Sequence, residues 1–101
     1  MPHVSRIKLD KQAEYKLIDS LEVVLTRVSK KDEMTAFLFS LMTHTEKLML
    51  AKRLSAVILL KEGLTQSQVA NALHLTRVTV NKMELLLETK KEGYDIALRV
   101  L

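Results

Sequence analysis

The segment 43–63, THTEKLMLAKRLSAVILLKEG, has the pattern of one helix with almost no polar side. Thr43 and Glu46 have the three-residue offset of a capping box, in which hydroxyl and carboxyl each satisfy an unpaired amide at the helix start. Gly63 supplies the left-handed residue that commonly ends a helix. Between them lie the apolar residues Leu48, Met49, Leu50, Ala51, Leu54, Ala56, Val57, Ile58, Leu59 and Leu60. A helix that is apolar nearly all round must be covered on several sides.

The size of the chain limits what can cover this helix. A chain of 101 residues forms one domain and has few other helices to place around the central one. A second copy of the chain would supply the missing cover, so the sequence predicts an obligate homodimer with this helix near its centre. A tightly wrapped monomer is the alternative.

The composition favours helices and gives no sign of a metal or a cofactor. Apolar residues make up 48% of the chain and charged residues 28%, with two glycines and one proline. These values are typical of a globular helical protein, so we expect an all-α fold. The chain has no cysteine, and His3, His44 and His74 lack ligand spacing, so we expect no metal site and no cofactor. The net charge of +4 suits a polyanionic partner, although many proteins of this charge bind none.

Nothing in the sequence points to a membrane. The longest apolar run, Ala56–Leu60, is far too short to cross one. The opening residues, MPHVSRIKL, lack the charged lead and apolar segment of a secretory leader. We therefore expect a cytoplasmic protein with no membrane partner, which agrees with the absence of cysteine.

Helical periodicity divides the chain into about six helices after a short arm. Residues 1–9 have no sustained period and are predicted to form a flexible basic arm, followed by a single helical domain over residues 10–101. The predicted helices cover, in order, residues 10–28, 32–42, 43–63, 65–73, 76–91 and 94–101. Asp32 is expected to cap the second helix, and Gly93 to end the fifth.

The fourth and fifth predicted helices have the apolar spacing of a helix-turn-helix over residues 65–88. Thr65 and Gln68 repeat the capping-box offset, and Thr76 can cap the following helix. The residues expected to pack between the two helices are Val69, Ala70, Leu73, Leu75, Val80 and Met83. His74 stands at the turn, where a positive φ is common, and histidine is among the few residues besides glycine that are enriched there.

The outer face of the fifth helix has side chains that suit the edges of bases. With its apolar residues facing inward, helical geometry directs outward Arg77, Val78, Asn81 and Lys82. Arginine can bond guanine, asparagine can bond adenine through two hydrogen bonds, and valine can contact the thymine methyl group. A merely solvated face is the alternative. An exposed valine, and the absence of Asp and Glu from residues 63–83, favour a surface that binds double-stranded DNA.

In a helix-turn-helix, the helix before this one crosses the phosphate backbone. Its first turn has uncharged polar side chains and unpaired amides, which suit phosphate oxygens. The residues predicted to contact DNA are Thr65, Gln66, Ser67, Thr76, Arg77, Val78, Thr79, Asn81 and Lys82. For Thr65, capping alone is the alternative role.

Two blocks, SLMTHTEKLMLAKRL and TQSQVANALHLTRVTVNK, resemble the tryptophan repressor family. With the glycine-ended helix between them, the resemblance covers roughly residues 38–83. It implies an all-helical, intertwined homodimer whose paired helices contact successive major-groove turns of a palindromic operator. The expected function is therefore that of a sequence-specific, repressor-like transcriptional regulator.

The ligand pocket of that family matches this sequence only in part. The resemblance places Thr43 and Arg53 where the pocket has a threonine and one arginine, while Lys82 replaces a second arginine and Met83 replaces a glycine. Lysine lacks the planar guanidinium that stacks on an indole ring, and methionine would occupy the volume of the ligand. We expect a regulator that does not need tryptophan. Another small corepressor beside Thr43, Arg53 and Lys82 stays open, as does an ion pair or phosphate contact for Arg53.

Two other function classes account for less of the sequence. A helical dimeric interaction module, such as an antitoxin or adaptor, would explain the apolar central helix but not the outward Arg77, Val78 and Asn81. An enzyme is not expected, because the chain shows no nucleophile paired with a histidine, no glycine-rich phosphate loop and no evident carboxylate pair.

Overall fold

The computed structural model describes residues 9–101, and within them the chain forms six α-helices and no strand. The helices are α1 (Lys11–Arg27), α2 (Lys31–Leu41), α3 (His44–Lys61), α4 (Gln66–Leu73), α5 (Arg77–Thr89) and α6 (Lys91–Val100). The predicted all-α class is confirmed. The predicted arm, residues 1–9, lies outside the described residues except for Leu9. Among the described residues, no helix is both long enough and apolar enough to cross a membrane.

The described chain divides after Leu41 into two compact units. The first contains α1 and α2, and the second, Met42–Leu101, contains α3 to α6. The prediction of a single domain over residues 10–101 stays a prediction.

In the first unit, α1 begins at a local cap. The Asp10 carboxylate accepts the Ala13 N–H at 2.7 Å, which satisfies one amide of the first turn. No residue of α1 is buried, and its exposed apolar side chains include Leu17, Leu21 and Val24. These three positions share one side of the helix by their spacing. Among the described residues of the first unit, α1 therefore has an exposed apolar side.

The predicted cap of α2 is wrong. The Met34 N–H already donates to the Lys30 carbonyl at 3.0 Å, so the helix starts before Asp32. Asp32 lies within the first turn, where its carboxylate accepts the Glu33 N–H at 2.9 Å. An acidic residue there still suits the positive end of the helix dipole, which is why the sequence signal resembles a cap.

The predicted ends of α3 are confirmed. The Glu46 N–H donates to the Thr43 hydroxyl at 3.1 Å, and the Thr43 N–H donates to the Glu46 carboxylate at 2.9 Å. The bond from the Thr43 N–H to the Glu46 carboxylate is the largest cause that lowers the pKa of Glu46, and the Thr43 side chain is the second. Because the folded-state pKa is lowered, the capping box contributes stability at pH values above the ordinary carboxyl pKa, and this stability is lost as the pH falls through the lowered value.

At the other end of α3, Gly63 has φ 96°, and the Leu64 N–H donates back to the Leu59 carbonyl at 3.1 Å.

The core of the second unit lies where α3, α4 and α5 meet. Its buried cluster consists of Ala56, Val69, Ala70, Val80 and Met83. Leu59, Leu60, Leu64, Leu73 and Leu75 pack around this cluster while staying partly exposed. The first half of α3 is different, because Leu48, Met49 and Leu50 are exposed. Among the described residues of the second unit, the buried apolar side chains of α3 lie in its second half.

The predicted boundary between the last two helices is wrong. Gly93 lies inside α6 rather than after α5. The break falls at Lys90, whose backbone leaves helical geometry with φ −117° and ψ 25°. One residue earlier, the Thr89 hydroxyl donates to the Leu86 carbonyl at 3.2 Å. Asp95 then pairs with Lys91 of its own helix at 3.7 Å and with Lys61 of α3 at 3.9 Å, which ties α6 to α3.

Candidate nucleic-acid interface

Local hydrogen bonds determine where α4 begins. The Gln68 N–H donates to the Thr65 hydroxyl at 3.2 Å, and the Thr65 N–H donates to the Gln68 side-chain oxygen at 2.9 Å. This capping box starts α4 at Gln66 and turns Val69 into the core, where it is fully buried. As a result the side chain of Gln66 is half-buried and that of Ser67 is exposed in the first turn of the helix.

The turn between α4 and α5 depends on one left-handed residue. His74 has φ 54° and ψ 48°, as its position in the predicted turn requires. This geometry lets the Leu75 N–H donate back to the Ala70 carbonyl at 2.9 Å. Leu75 then packs against the core cluster, which holds the start of α5 close to α4. The predicted turn chemistry is confirmed.

The rotation of α5 about its axis is as predicted. Val80 is 0% exposed and Met83 is 8% exposed, so both side chains face the core. On the other side of the helix, Val78 is 66% exposed and the polar residues Arg77, Asn81 and Lys82 are also exposed. The chain therefore presents a guanidinium, an amide and an apolar group together on the outer face of α5.

Two threonines shape the first turn of α5. The Thr76 hydroxyl accepts the Thr79 N–H at 3.1 Å and donates to the Thr79 hydroxyl at 2.9 Å. Thr76 is thus the predicted cap, and its hydroxyl hydrogen is used within the helix. The Thr79 hydroxyl accepts that hydrogen, so its own hydrogen can still be donated to a phosphate oxygen.

An open concavity of about 400 Å³ lies between α4 and the start of α5. It is lined by Ser67, Ala70, Asn71, His74, Leu75 and Arg77. The concavity brings together Ser67 and Arg77, which the sequence analysis assigned to different helices of one interface. Asn71 is an addition, and its spacing of four residues from Ser67 on the same helix could have predicted it. Hydroxyl, amide and guanidinium donors at one surface suit phosphate oxygens or base acceptors.

A hydrogen-bonded link joins the first turn of α4 to the outer face of α5. The Gln66 side-chain amide donates to Asn81 Oδ1 at 3.0 Å and also to a carboxylate oxygen of Glu84. Glu84 was not among the residues predicted for the interface, although its spacing of three residues after Asn81 places it on the same helix face. The outer face of α5 therefore includes the carboxylate of Glu84 beside Asn81, and that of Glu88 one helical turn later.

The residues that the resemblance assigns to a ligand pocket do not share one site in the structure. The Thr43 hydroxyl accepts a hydrogen bond in the capping box of α3, and Arg53 and Lys82 are exposed. Met83 packs in the core cluster with Ala56. Met83, which the resemblance places where the family's pocket has a glycine, is thus a buried side chain of the core.

A family model described as Trp repressor protein matches residues 16–101. The chain belongs to the Trp repressor family. The match confirms the resemblance predicted over residues 38–83 and extends it to α1 and α6. Members of the Trp repressor family are helix-turn-helix, DNA-binding regulators of transcription rather than enzymes. No curated protein and no solved structure matches the chain.

Proposed function

We propose that this Trp repressor family member is a repressor-like regulator that binds a palindromic operator through the major groove. The observation that carries the proposal is the rotation of α5. Val80 and Met83 are buried, so Arg77 and Asn81 stand on the exposed side at the start of the helix. Residues at the start of the second helix of such a motif reach deepest into the groove.

The exposed side chains of α5 differ in the base features they can contact. Arg77 can donate two hydrogen bonds to guanine O6 and N7, and the Val78 methyl groups can contact a thymine methyl group. Asn81 can bond a base edge through its amide. Lys82 adds a charge that attracts phosphate with little sequence preference. The combination supports sequence-dependent binding rather than charge attraction alone.

The phosphate backbone would be held by the first turn of α4 and by the start of α5. Ser67 is exposed beside amides that lack an intrahelical partner, and uncharged donors at such an end suit a phosphate oxygen. Thr79 can donate its hydroxyl hydrogen from α5. The Thr65 hydroxyl accepts the Gln68 N–H and can still donate its own hydrogen to a phosphate oxygen. Gln66 and Thr76 already use their side-chain hydrogens, so their part would be to position the backbone amides.

The homodimer is part of the proposal. Among the described residues, α1 has an exposed apolar side, and the first half of α3 exposes Leu48, Met49 and Leu50. Apolar surface of this extent favours burial against another protein surface. A second copy would cover it and place two α5 helices in one complex, as a palindromic operator requires. The cytoplasmic location predicted from the sequence stays a prediction.

We also propose that operator binding does not depend on tryptophan. Met83 fills the position where the resemblance implies space for the indole ring, and Lys82 cannot stack on it as an arginine would. Calorimetric titration with tryptophan is therefore expected to show no binding in the micromolar range, with the operator present or absent. Micromolar binding that also tightens DNA affinity would contradict this part.

The proposed function is tested by determining which DNA sequences the protein selects. Wild-type protein and Arg77→Ala are each used to select duplexes from a random pool at about physiological salt. We expect a symmetric enriched site for the wild type and a loss of about 1–3 kcal/mol at one base position per half-site for Arg77→Ala. Arg99→Ala removes the same charge from the exposed end of α6 and should keep the wild-type site. An interaction module without DNA specificity would give no enriched site with any of the three proteins.

A further inference from the structure

The side chain of Gln66 joins two residues of α5 that lie on its exposed face. Its Nε2 atom donates to Asn81 Oδ1 at 3.0 Å and to Glu84 Oε2, across 15 and 18 positions of sequence. We call Glu84, Gln66 and Asn81 the amide chain. It connects the helix assigned to the phosphate backbone with the helix assigned to the base edges.

Glu84 determines which atoms of the amide chain donate hydrogen bonds and which accept them. An ionised carboxylate only accepts hydrogen bonds, so it must face the NH2 group of Gln66 rather than its oxygen. Turning the Gln66 amide over would place its oxygen against the carboxylate, acceptor against acceptor. Because both N–H groups of Gln66 are then used, Asn81 must face Gln66 with its oxygen, as the structure shows.

The direction of the hydrogen bonds in the amide chain determines which groups of Asn81 can bond to a base. The bond from Gln66 turns Oδ1 toward α4 and engages one of its two lone pairs, while both N–H donors of Asn81 stay unengaged. A free asparagine pairs with adenine by donating to N7 and accepting from N6. Guanine instead presents two acceptors, N7 and O6, and thymine presents O4.

We propose that Glu84, acting through Gln66, makes Asn81 a hydrogen-bond donor toward DNA. The proposal rests on the proposed function and makes its specificity more definite. At the base that Asn81 faces, the protein should prefer guanine, which presents two acceptors, over adenine, which presents one acceptor beside a donor, and over cytosine, which presents a donor. Glu84 is a positioning residue in this account, since it acts on the base through two other side chains.

The test starts from the symmetric site that the wild-type protein selects from a random duplex pool. Asn81→Ala identifies the base pair that Asn81 faces, because discrimination is lost there. Competition between duplexes that differ only at this pair should show that the wild type prefers guanine over adenine by about tenfold, equivalent to about 1.4 kcal/mol. Glu84→Gln should lose most of that preference, since glutamine can donate or accept and no longer fixes the direction of the chain.

Glu88→Gln is the matched control. Glu88 lies one helical turn after Glu84, is exposed, and makes no hydrogen bond to Gln66. Both variants remove one negative charge near DNA, so both should bind every duplex more tightly. Only Glu84→Gln should change the preference at the Asn81 base pair. A third variant, Gln66→Ala, removes the middle of the chain and should give the same loss of preference as Glu84→Gln.

Two outcomes would overturn the amide chain while leaving the proposed function in place. One is a wild-type preference for adenine at the Asn81 base pair, and the other is an unchanged preference in Glu84→Gln. A wild-type protein that enriches no site at all would overturn the proposed function, and the amide chain with it.

Discussion

Val80→Asp is expected to unfold the second unit, whereas Val78→Asp is expected to leave it folded. Val80 is 0% exposed and belongs to the core cluster, so an aspartate there leaves a charge buried without a partner. Such a charge costs about 3–5 kcal/mol, a large part of the stability of a small domain. Val78 is 66% exposed, two residues away on the same helix, and a surface substitution of this kind changes stability by about 0.5 kcal/mol or less.

The two variants together separate folding from DNA binding. Urea denaturation followed by helical circular dichroism should show a lower midpoint for Val80→Asp and a nearly unchanged midpoint for Val78→Asp. The folded Val78→Asp protein should nevertheless lose operator affinity, because its carboxylate would face base acceptors and phosphates in the groove. Equal stability of the two variants would mean that α5 is rotated differently from the structure. Full DNA affinity in Val78→Asp would mean that this face does not meet DNA.

Leu21→Asp is expected to prevent the homodimer from forming. Leu21 is 41% exposed in a single chain and lies on the apolar side of α1 with Leu17 and Val24. If a second copy covers this side, the substitution buries a charge in an apolar interface and costs about 3–5 kcal/mol in each protomer. Sedimentation should give twice the mass of the chain for the wild type, and only monomeric or unfolded material for Leu21→Asp.

Gln12→Asp is the control for this substitution. Gln12 lies nine residues before Leu21, which is two and a half helical turns, so it is on the opposite side of α1. It is exposed, and an aspartate in the first turn of a helix is tolerated. The Gln12→Asp protein should sediment as the wild type does. A wild-type protein that is monomeric at all concentrations would contradict the dimer, and a dimeric Leu21→Asp would show that this side of α1 is not its interface.

The starts of α3, α4 and α5 were predictable because their signals are local. At each, a threonine and the residue three positions later determine the hydrogen bonds of the first turn, and the structure shows the Thr43, Thr65 and Thr76 caps as predicted. The rotation of α5 was predictable for a related reason. The spacing of Val80 and Met83 allows only one side of the helix to face the core.

Two helix boundaries were predicted wrongly because their local signals are ambiguous. An aspartate stabilises a helix start both as a cap and within the first turn, so Asp32 did not determine which residue is first. Glycine often follows a helix but is also tolerated inside one at a cost of about 1 kcal/mol. Gly93 is tolerated inside α6, where Asp95 forms ion pairs with α3 and with Lys91.

The amide chain could not be predicted from the sequence. Gln66 and Glu84 are 18 residues apart, and their contact depends on how α4 crosses α5. Sequence periodicity gives the side of a helix on which a residue lies, but not which residues of two crossing helices meet. The same limit applies to the concavity that brings Asn71 beside Arg77.

The central claim is that the outer face of α5 lies in the major groove of a two-fold symmetric site. Methylation interference on the selected operator tests it most directly, because a methyl group on guanine N7 projects into the major groove. The account predicts that methylation of one or more guanines in each half-site blocks binding, with half-sites about 34 Å, or one helical turn, apart or a multiple of that distance. Interference at minor-groove adenine N3 alone, or at a single position without a symmetric counterpart, would contradict it.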